Sequence, residues 1–232
     1  MPCPARADPN GYTPLHWAAA GNQAEVVHAL LDNGAAVDPR DGFGYTPLHW
    51  AADAGAMKTA ELLLGKGANV NAIALNSQTP LHRAACGGNG RTVALLLAKG
   101  ANPAATDYRT FTPLHYATSV EAAAALLAKG ADINARPNNY SMTPLAAAAQ
   151  RGNAEVVRFL LEKGADTRMH NDMLFVPLHW AAWAGSTECV KLLLPRTADP
   201  KATDHGGWTA RDWAAYWGHK EVVDILTEKE KK

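Results

Sequence analysis

Cysteine is scarce in this chain: Cys3, Cys86 and Cys189 are odd in number and far apart. That spacing offers neither a disulfide framework nor a zinc site, and it fits a reducing compartment. Net charge is missing too, with 22 basic residues against 22 acidic ones, so no attraction of the whole chain to nucleic acid or an anionic membrane is expected. No apolar run approaches the length of a membrane span, and residues 1–6 lack the apolar core of a secretion signal. Nor is there an HExxH, GxSxG or paired-cysteine motif. The expectation is a cytoplasmic or nuclear protein without signal peptide, membrane or nucleic-acid partner.

What the chain has in abundance is repetition. Thr-Pro-Leu-His stands whole from Thr13, Thr46, Thr79 and Thr112, and returns altered from Thr143, Val176 and Thr209. Successive starts lie 33, 33, 33, 31, 33 and 33 residues apart. A fixed period of this length marks one supersecondary unit stacked on copies of itself.

The residues between motifs say what the unit is. Pro144 stands where a helix can begin, since its missing N–H would be unpaired there anyway. Leu145, Ala148 and Ala149 then fall on one stripe of a short first helix, and Gly152 ends it. Val156, Val157, Leu160 and Leu161 form the apolar stripe of a longer second helix closed by Gly164. Such a unit cannot bury its apolar face alone, so stacking supplies the core.

Motif and period together resemble the ankyrin repeat family over nearly the whole chain. The resemblance implies an all-α repeat protein, an ankyrin-repeat solenoid of helix-turn-helix units joined by hairpin-like finger loops. It implies one domain over residues 1–232, with seven repeats starting near residues 8, 41, 74, 107, 138, 171 and 204 and the outer two acting as caps. It further implies that the motif histidines His16, His49, His82, His115 and His179 bond to backbone and motif Thr, locking unit to unit. Fingers and first helices would line a concave inner face.

The units depart from one another at the centre. Gly11, Gly44 and Gly207 hold the finger turn of outer repeats, whereas Ser77, Thr110, Tyr140 with Ser141, and Leu174 stand there in the middle ones. Such residues resist positive φ, so the middle fingers are expected to turn differently. Repeat four is short: His115 to Gly130 spans 15 residues where His49 to Gly67 spans 18, placing the loss at the turn between its helices. Gly87-Gly88-Asn89-Gly90-Arg91 looks like a phosphate loop, but it follows a helix and lacks the Lys-Ser/Thr pair, so it is read as an inter-helix turn.

Aromatic residues follow the same period. Of Trp, Tyr and Phe, only Phe159 falls on a second helix. The residue before each motif reads Tyr12, Tyr45, Gln78, Phe111, Met142, Phe175 and Trp208; the residue after the motif His reads Trp17, Trp50, Arg83, Tyr116, Ala147, Trp180 and Trp213. Trp183, Tyr216 and Trp217 lie further along the first helices. Residues 76–170 carry 10 basic against 6 acidic residues, while 1–75 carry 4 against 7, and Arg83, Arg109 and Arg151 fall on the aromatic side. Arginine stacks on rings and grips carboxylates or phosphates.

These patterns point to a non-catalytic module that binds a partner protein or peptide, as a monomer, in a groove lined by aromatics and arginine. Trp180, Trp183, Trp208 and Trp213 would supply apolar anchors, with Phe43, Tyr45, Tyr108, Phe111 and Phe175 on the fingers. A different class stays open: a small-molecule binder for an anionic or aromatic ligand, or an unusual enzyme, with a pocket in repeats three to six. Arg83, Cys86, Tyr108, Tyr116, Tyr140, Gln150, Arg151 and Trp183 would then crowd one cavity. Cys86 near Arg83 is the thiol to test for reactivity. No catalytic, metal or cofactor residue is assigned.

Overall fold

The computed structural model describes residues 7–136 and 142–230. It divides into two compact units, Met1–Ala131 and Asp132–Lys232. Unit one holds α1 (Pro14–Ala20), α2 (Ala24–Asp32), α3 (Pro47–Asp53), α4 (Met57–Gly65), α5 (Pro80–Cys86), α6 (Gly90–Ala98), α7 (Pro113–Tyr116) and α8 (Val120–Ala128). Unit two holds α9 (Pro144–Gln150), α10 (Ala154–Glu162), α11 (Pro177–Trp183), α12 (Thr187–Leu193), α13 (Ala210–Tyr216) and α14 (Lys220–Glu230), with a 3-10 turn at Leu194–Arg196. No strand occurs among the described residues beyond a single bridge between Thr203 and Thr209.

Each odd-numbered helix from α1 to α11 starts at the motif proline, after an extended motif residue at the N-cap. Proline's fixed φ and absent donor suit that position. The motif leucines Leu15, Leu48, Leu81 and Leu114 are at most 1% exposed, and in unit one they pack with Leu63, Leu96 and Leu126 of the second helices. Leu145, Leu160, Leu178 and Leu193 fill the same positions in unit two. Alanines at Ala51, Ala84 and Ala181 are fully buried and let adjacent first helices approach closely.

In α1, α3 and α5 the motif histidine ties one unit to the next through a fixed tautomer, whereas Nε2 of His179 is buried without a partner, against expectation. In α3 the backbone N–H of Thr46 donates to His49 Nδ1 at 3.1 Å, so Nδ1 is the acceptor and the proton sits on Nε2. Nε2 then donates to the Gln78 carbonyl of the next finger at 3.1 Å. His16 to Tyr45 and His82 to Phe111 repeat the link. In α13 Asp212 replaces the histidine and accepts from the Thr209 N–H and hydroxyl instead.

The fingers correct one expectation. Ser77, Thr110 and Leu174 have φ of 60°, 64° and 61°, in the same left-handed region as Gly44 at 79° and Gly207 at 79°. Their N–H groups close the same turn, Ser77 onto Ala74, Thr110 onto Asp107 and Leu174 onto Asn171, as Gly44 does onto Asp41. These three middle fingers therefore do not turn differently, the one at Tyr140 and Ser141 lying outside the described residues; the stacked backbone imposes the turn and the side chains bear the strain. Adjacent fingers are joined by backbone bonds, Gly42 N–H to Asn10, Leu75 to Phe43 and Tyr108 to Asn76 in unit one, and His205 to Met173 in unit two. The stacking fixes their spacing.

Repeat four shows its deletion directly. α7 is a single turn, Ala117 leaves it with ψ 121°, and the Thr118 N–H donates to the Ala85 carbonyl at 3.2 Å. Ser119 then caps α8 by accepting from Ala122. The glycine-rich run before α6 is a packing feature: a Cβ on Gly90 would stand 2.4 Å from Cβ of Glu121, and one on Gly87 2.2 Å from the Asp53 carbonyl.

Candidate functional site

Three fingers present a carboxylate that organises the aromatic face, at Asp41, Asp107 and Asp204. Oδ1 of Asp41 accepts from the N–H groups of Phe43 and Tyr45, both at 2.9 Å, shaping the finger. Its Oδ2 accepts from Trp50 Nε1 at 3.0 Å, nine residues on. Asp107 repeats the pattern with Arg109, Phe111 and the Tyr116 hydroxyl, and Asp204 with Gly206, Trp208 and Trp213 Nε1. The ring after the motif histidine is thus positioned by its own finger. Burial first, and then the Asp107 carboxylate, hold the Tyr116 phenol above its ordinary pKa.

In unit one these rings enclose a cavity of about 280 Å³ lined by Tyr12, Phe43, Tyr45, His49, Trp50, Asp53 and Arg83. Tyr12 meets Trp50 edge-on at 5.4 Å. Phe43 is 60% exposed at the mouth. Arg83 lies over the Tyr45 ring at 5.5 Å and pairs with Asp53 at 2.9 Å, both side chains about one-third exposed. The Tyr45 hydroxyl accepts from Asn76 at 2.6 Å and donates to Gln78 at 3.2 Å. Burial pushes the His49 pKa down to about 4, against the opposing bond to the Gln78 carbonyl, so the imidazole is neutral near pH 7.

Further along unit one, Arg109 stacks on Phe111 at 5.0 Å, Phe111 stands 6.0 Å from Tyr116, and Tyr108 is 69% exposed on the finger. Cys86 is exposed at the end of α5, and its carbonyl accepts from the Thr118 hydroxyl.

In unit two, Phe175, Trp180, Trp183, Trp208, Trp213, Tyr216 and Trp217 form one chain of contacting rings, with centroid separations of 5.0 to 6.2 Å. Trp208, Tyr216 and Trp217 are its exposed members; Phe175 is buried and supports the others. Gln150 and Arg151 end and cap α9. Of the residues expected to crowd one cavity, Arg83, Cys86, Tyr108 and Tyr116 belong to unit one and Gln150, Arg151 and Trp183 to unit two. Tyr140 lies outside the described residues.

Sequence reasoning missed Asp53, Gln78 and the finger aspartates. The signal for the latter was present: Asp41 with Trp50, Asp107 with Tyr116 and Asp204 with Trp213 share a nine-residue spacing. Asp53 had none, because its pairing with Arg83 crosses from one repeat to the next.

No helix among the described residues is long and apolar enough to cross a membrane. The family described as Ankyrin repeats (3 copies) matches residues 2–74, 71–137, 136–204 and 176–232, and the chain belongs to that family. The fold is similar to the human ASB11 ankyrin repeat domain, with a TM-score of 0.79, 29% identity, and coverage of 93% of this chain and 98% of that one. It is similar too to the ankyrin repeat domain of Bcl-3, a member of the IkappaB protein family, with a TM-score of 0.70, 28% identity, and coverage of 94% and 99%. An ankyrin repeat protein of Rickettsia bellii (strain RML369-C) is 51% identical over 43 residues, 18% of this chain and 25% of that protein's length. The chain spans about a quarter of that relative.

Proposed function

We propose that this protein is a non-catalytic interaction module whose finger and first-helix face docks a partner protein. Ankyrin repeats are generally protein–protein interaction modules. The observation that carries the reading is where the exposed rings lie. Among the described residues every exposed aromatic, from Trp17, Phe43 and Tyr108 to Trp208, Tyr216 and Trp217, sits on a finger, on a first helix or at its end. Rings left in water on the finger and first-helix side of each unit, while Phe159 on the second-helix side is half-covered, favour docking through that side.

The test is affinity capture with the intact protein and with a Phe43→Ala/Tyr108→Ala/Tyr216→Ala triple variant, alongside their melting temperatures. A partner retained by the native protein and lost from the stable triple variant supports the reading. Undiminished capture by the variant overturns it.

A further inference from the structure

We infer that the unit-one cavity between Tyr12, Phe43, Tyr45 and Trp50 is an anchor pocket for a partner segment in which an apolar side chain stands next to a carboxylate, the carboxylate displacing Asp53 from Arg83. This deepens the docking reading and rests on it.

The pocket walls favour an apolar occupant because, the Tyr12 hydroxyl apart, their neutral polar groups are already engaged. Trp50 Nε1 is on Asp41, the Tyr45 hydroxyl bridges Asn76 and Gln78, and both His49 nitrogens hold backbone groups. A polar side chain entering the cavity would lose water and find at most the Tyr12 hydroxyl as a neutral partner. A ring or a leucine would instead meet faces and edges of aromatic groups on several sides.

The rim selects the charge beside the anchor. Asp107 is 4% exposed and its oxygens are spent on Arg109, Phe111 and Tyr116, and Asp41 is 5% exposed and spent likewise. The charges that act on the cavity wall are the guanidiniums of Arg83 and Arg40, both felt by His49, against the carboxylate of Asp53. Arg40 makes no ion pair among the described residues and donates to the Gly44 and Ile73 carbonyls. Arg83 is oriented by Tyr45 and paired to Asp53 with about a third of each side chain in water, the kind of ion pair that opens at little cost. A partner carboxylate beside the anchor can therefore take Arg83, while Arg40 adds to the local positive field. A partner cation would meet one carboxylate and two like charges.

The sequence rule that produced this site is visible by comparison within the chain. Where repeats one, two, four and seven place a finger aspartate and an aromatic nine residues on, repeat three has Ala74 and Arg83. Loss of the acid and gain of the cation occur in one repeat, and they leave Arg83 free to reach Asp53 of the preceding helix.

Three blocked pentapeptides, Gly-Asp-Phe-Asp-Gly, Gly-Lys-Phe-Lys-Gly and Gly-Asp-Ala-Asp-Gly, are titrated into the full chain while the Trp50 indole N–H is followed by NMR. The acidic phenylalanine peptide is expected to shift that signal and to bind at least tenfold more tightly than the other two. Arg83→Gln should weaken it about tenfold, and Asp53→Asn should strengthen it several-fold by releasing Arg83. An unfolded variant cannot produce that gain. Equal or tighter binding of the lysine peptide, weakening by Asp53→Asn, or no shift with any peptide overturns the inference. The docking reading stands or falls separately, on whether a captured partner depends on Phe43, Tyr108 and Tyr216.

Discussion

Trp50 Nε1 donates to Oδ2 of Asp41 at 3.0 Å, and Trp213 repeats the bond with Asp204 at 2.9 Å. In the repeat from residue 171 the finger residue is Asn171, whose Oδ1 still accepts from Met173 and Phe175. The second atom of that side chain is an amide nitrogen, a donor where the other repeats have an acceptor. Trp180 Nε1, nine residues on, is buried without a partner. Asn171→Asp should supply the missing acceptor and stabilise the protein by about 1–3 kcal/mol; Asp41→Asn should cost about as much. Urea unfolding of the two variants checks this, and a shift of the same sign in both would show that the Asp–aromatic bond does not hold the finger.

The buried histidines make the fold acid-sensitive. Burial first, against opposing carbonyl bonds and nearby carboxylates, lowers the pKa of His16, His82 and His179, and it takes His49 to about 4. An unfolded histidine titrates near 6.5, so the unfolded chain binds more protons below that value. Stability is complete above pH 6.5 and falls as pH drops toward 4, with His49 alone accounting for about 3 kcal/mol. Denaturation midpoints at pH 7.5, 6 and 5 should fall in that order, and a His49→Gln variant should show a shallower decline from its lower starting point. A flat profile would mean these imidazoles do not stay neutral in the fold.

Finger strain offers a two-way test. Ser77 carries a φ of 60° that costs a non-glycine residue about 1–2 kcal/mol, partly recovered as lower chain entropy when unfolded. Ser77→Gly should therefore stabilise by about 0.5–1 kcal/mol. The reverse change, Gly44→Ser, should cost more than that, because a Cβ at Gly44 would stand 2.9 Å from the Leu75 nitrogen. Melting curves for the two variants check both signs.

Much of the fold was legible because the unit repeats: Pro144, Leu145 and Gly152 marked a helix whose bounds came out as Pro144–Gln150. The shortening at repeat four was legible from His115 and Gly130, and α7 is duly one turn. The turn at Ser77, Thr110 and Leu174 was not, since local φ preference pointed one way and stacking against adjacent fingers decided the other. The candidate site was legible as a set of columns, Tyr12, Tyr45, Trp50 and Arg83 among them. Its polarity was not, because the Arg83–Asp53 pair joins residues 30 positions apart that no single repeat contains.

The shortened first helix of repeat four should also be where unit one opens most easily. α5 runs from Pro80 to Cys86, and its Arg83 and Gly87 N–H groups bond to Thr79 and Arg83 carbonyls four residues back. α7 stops at Tyr116; the Ala117 N–H donates to the Leu114 carbonyl at 3.3 Å, and the Thr118 N–H to the Ala85 carbonyl of the neighbouring repeat. Local opening energies follow the number and quality of such bonds, so amides in 113–118 should exchange about tenfold faster than those in 80–87, a difference of about 1.4 kcal/mol. Hydrogen exchange read by mass spectrometry on peptides covering the two segments measures this. Protection of 113–118 equal to that of 80–87 would mean that packing on α5 and α8 fully compensates for the lost turn.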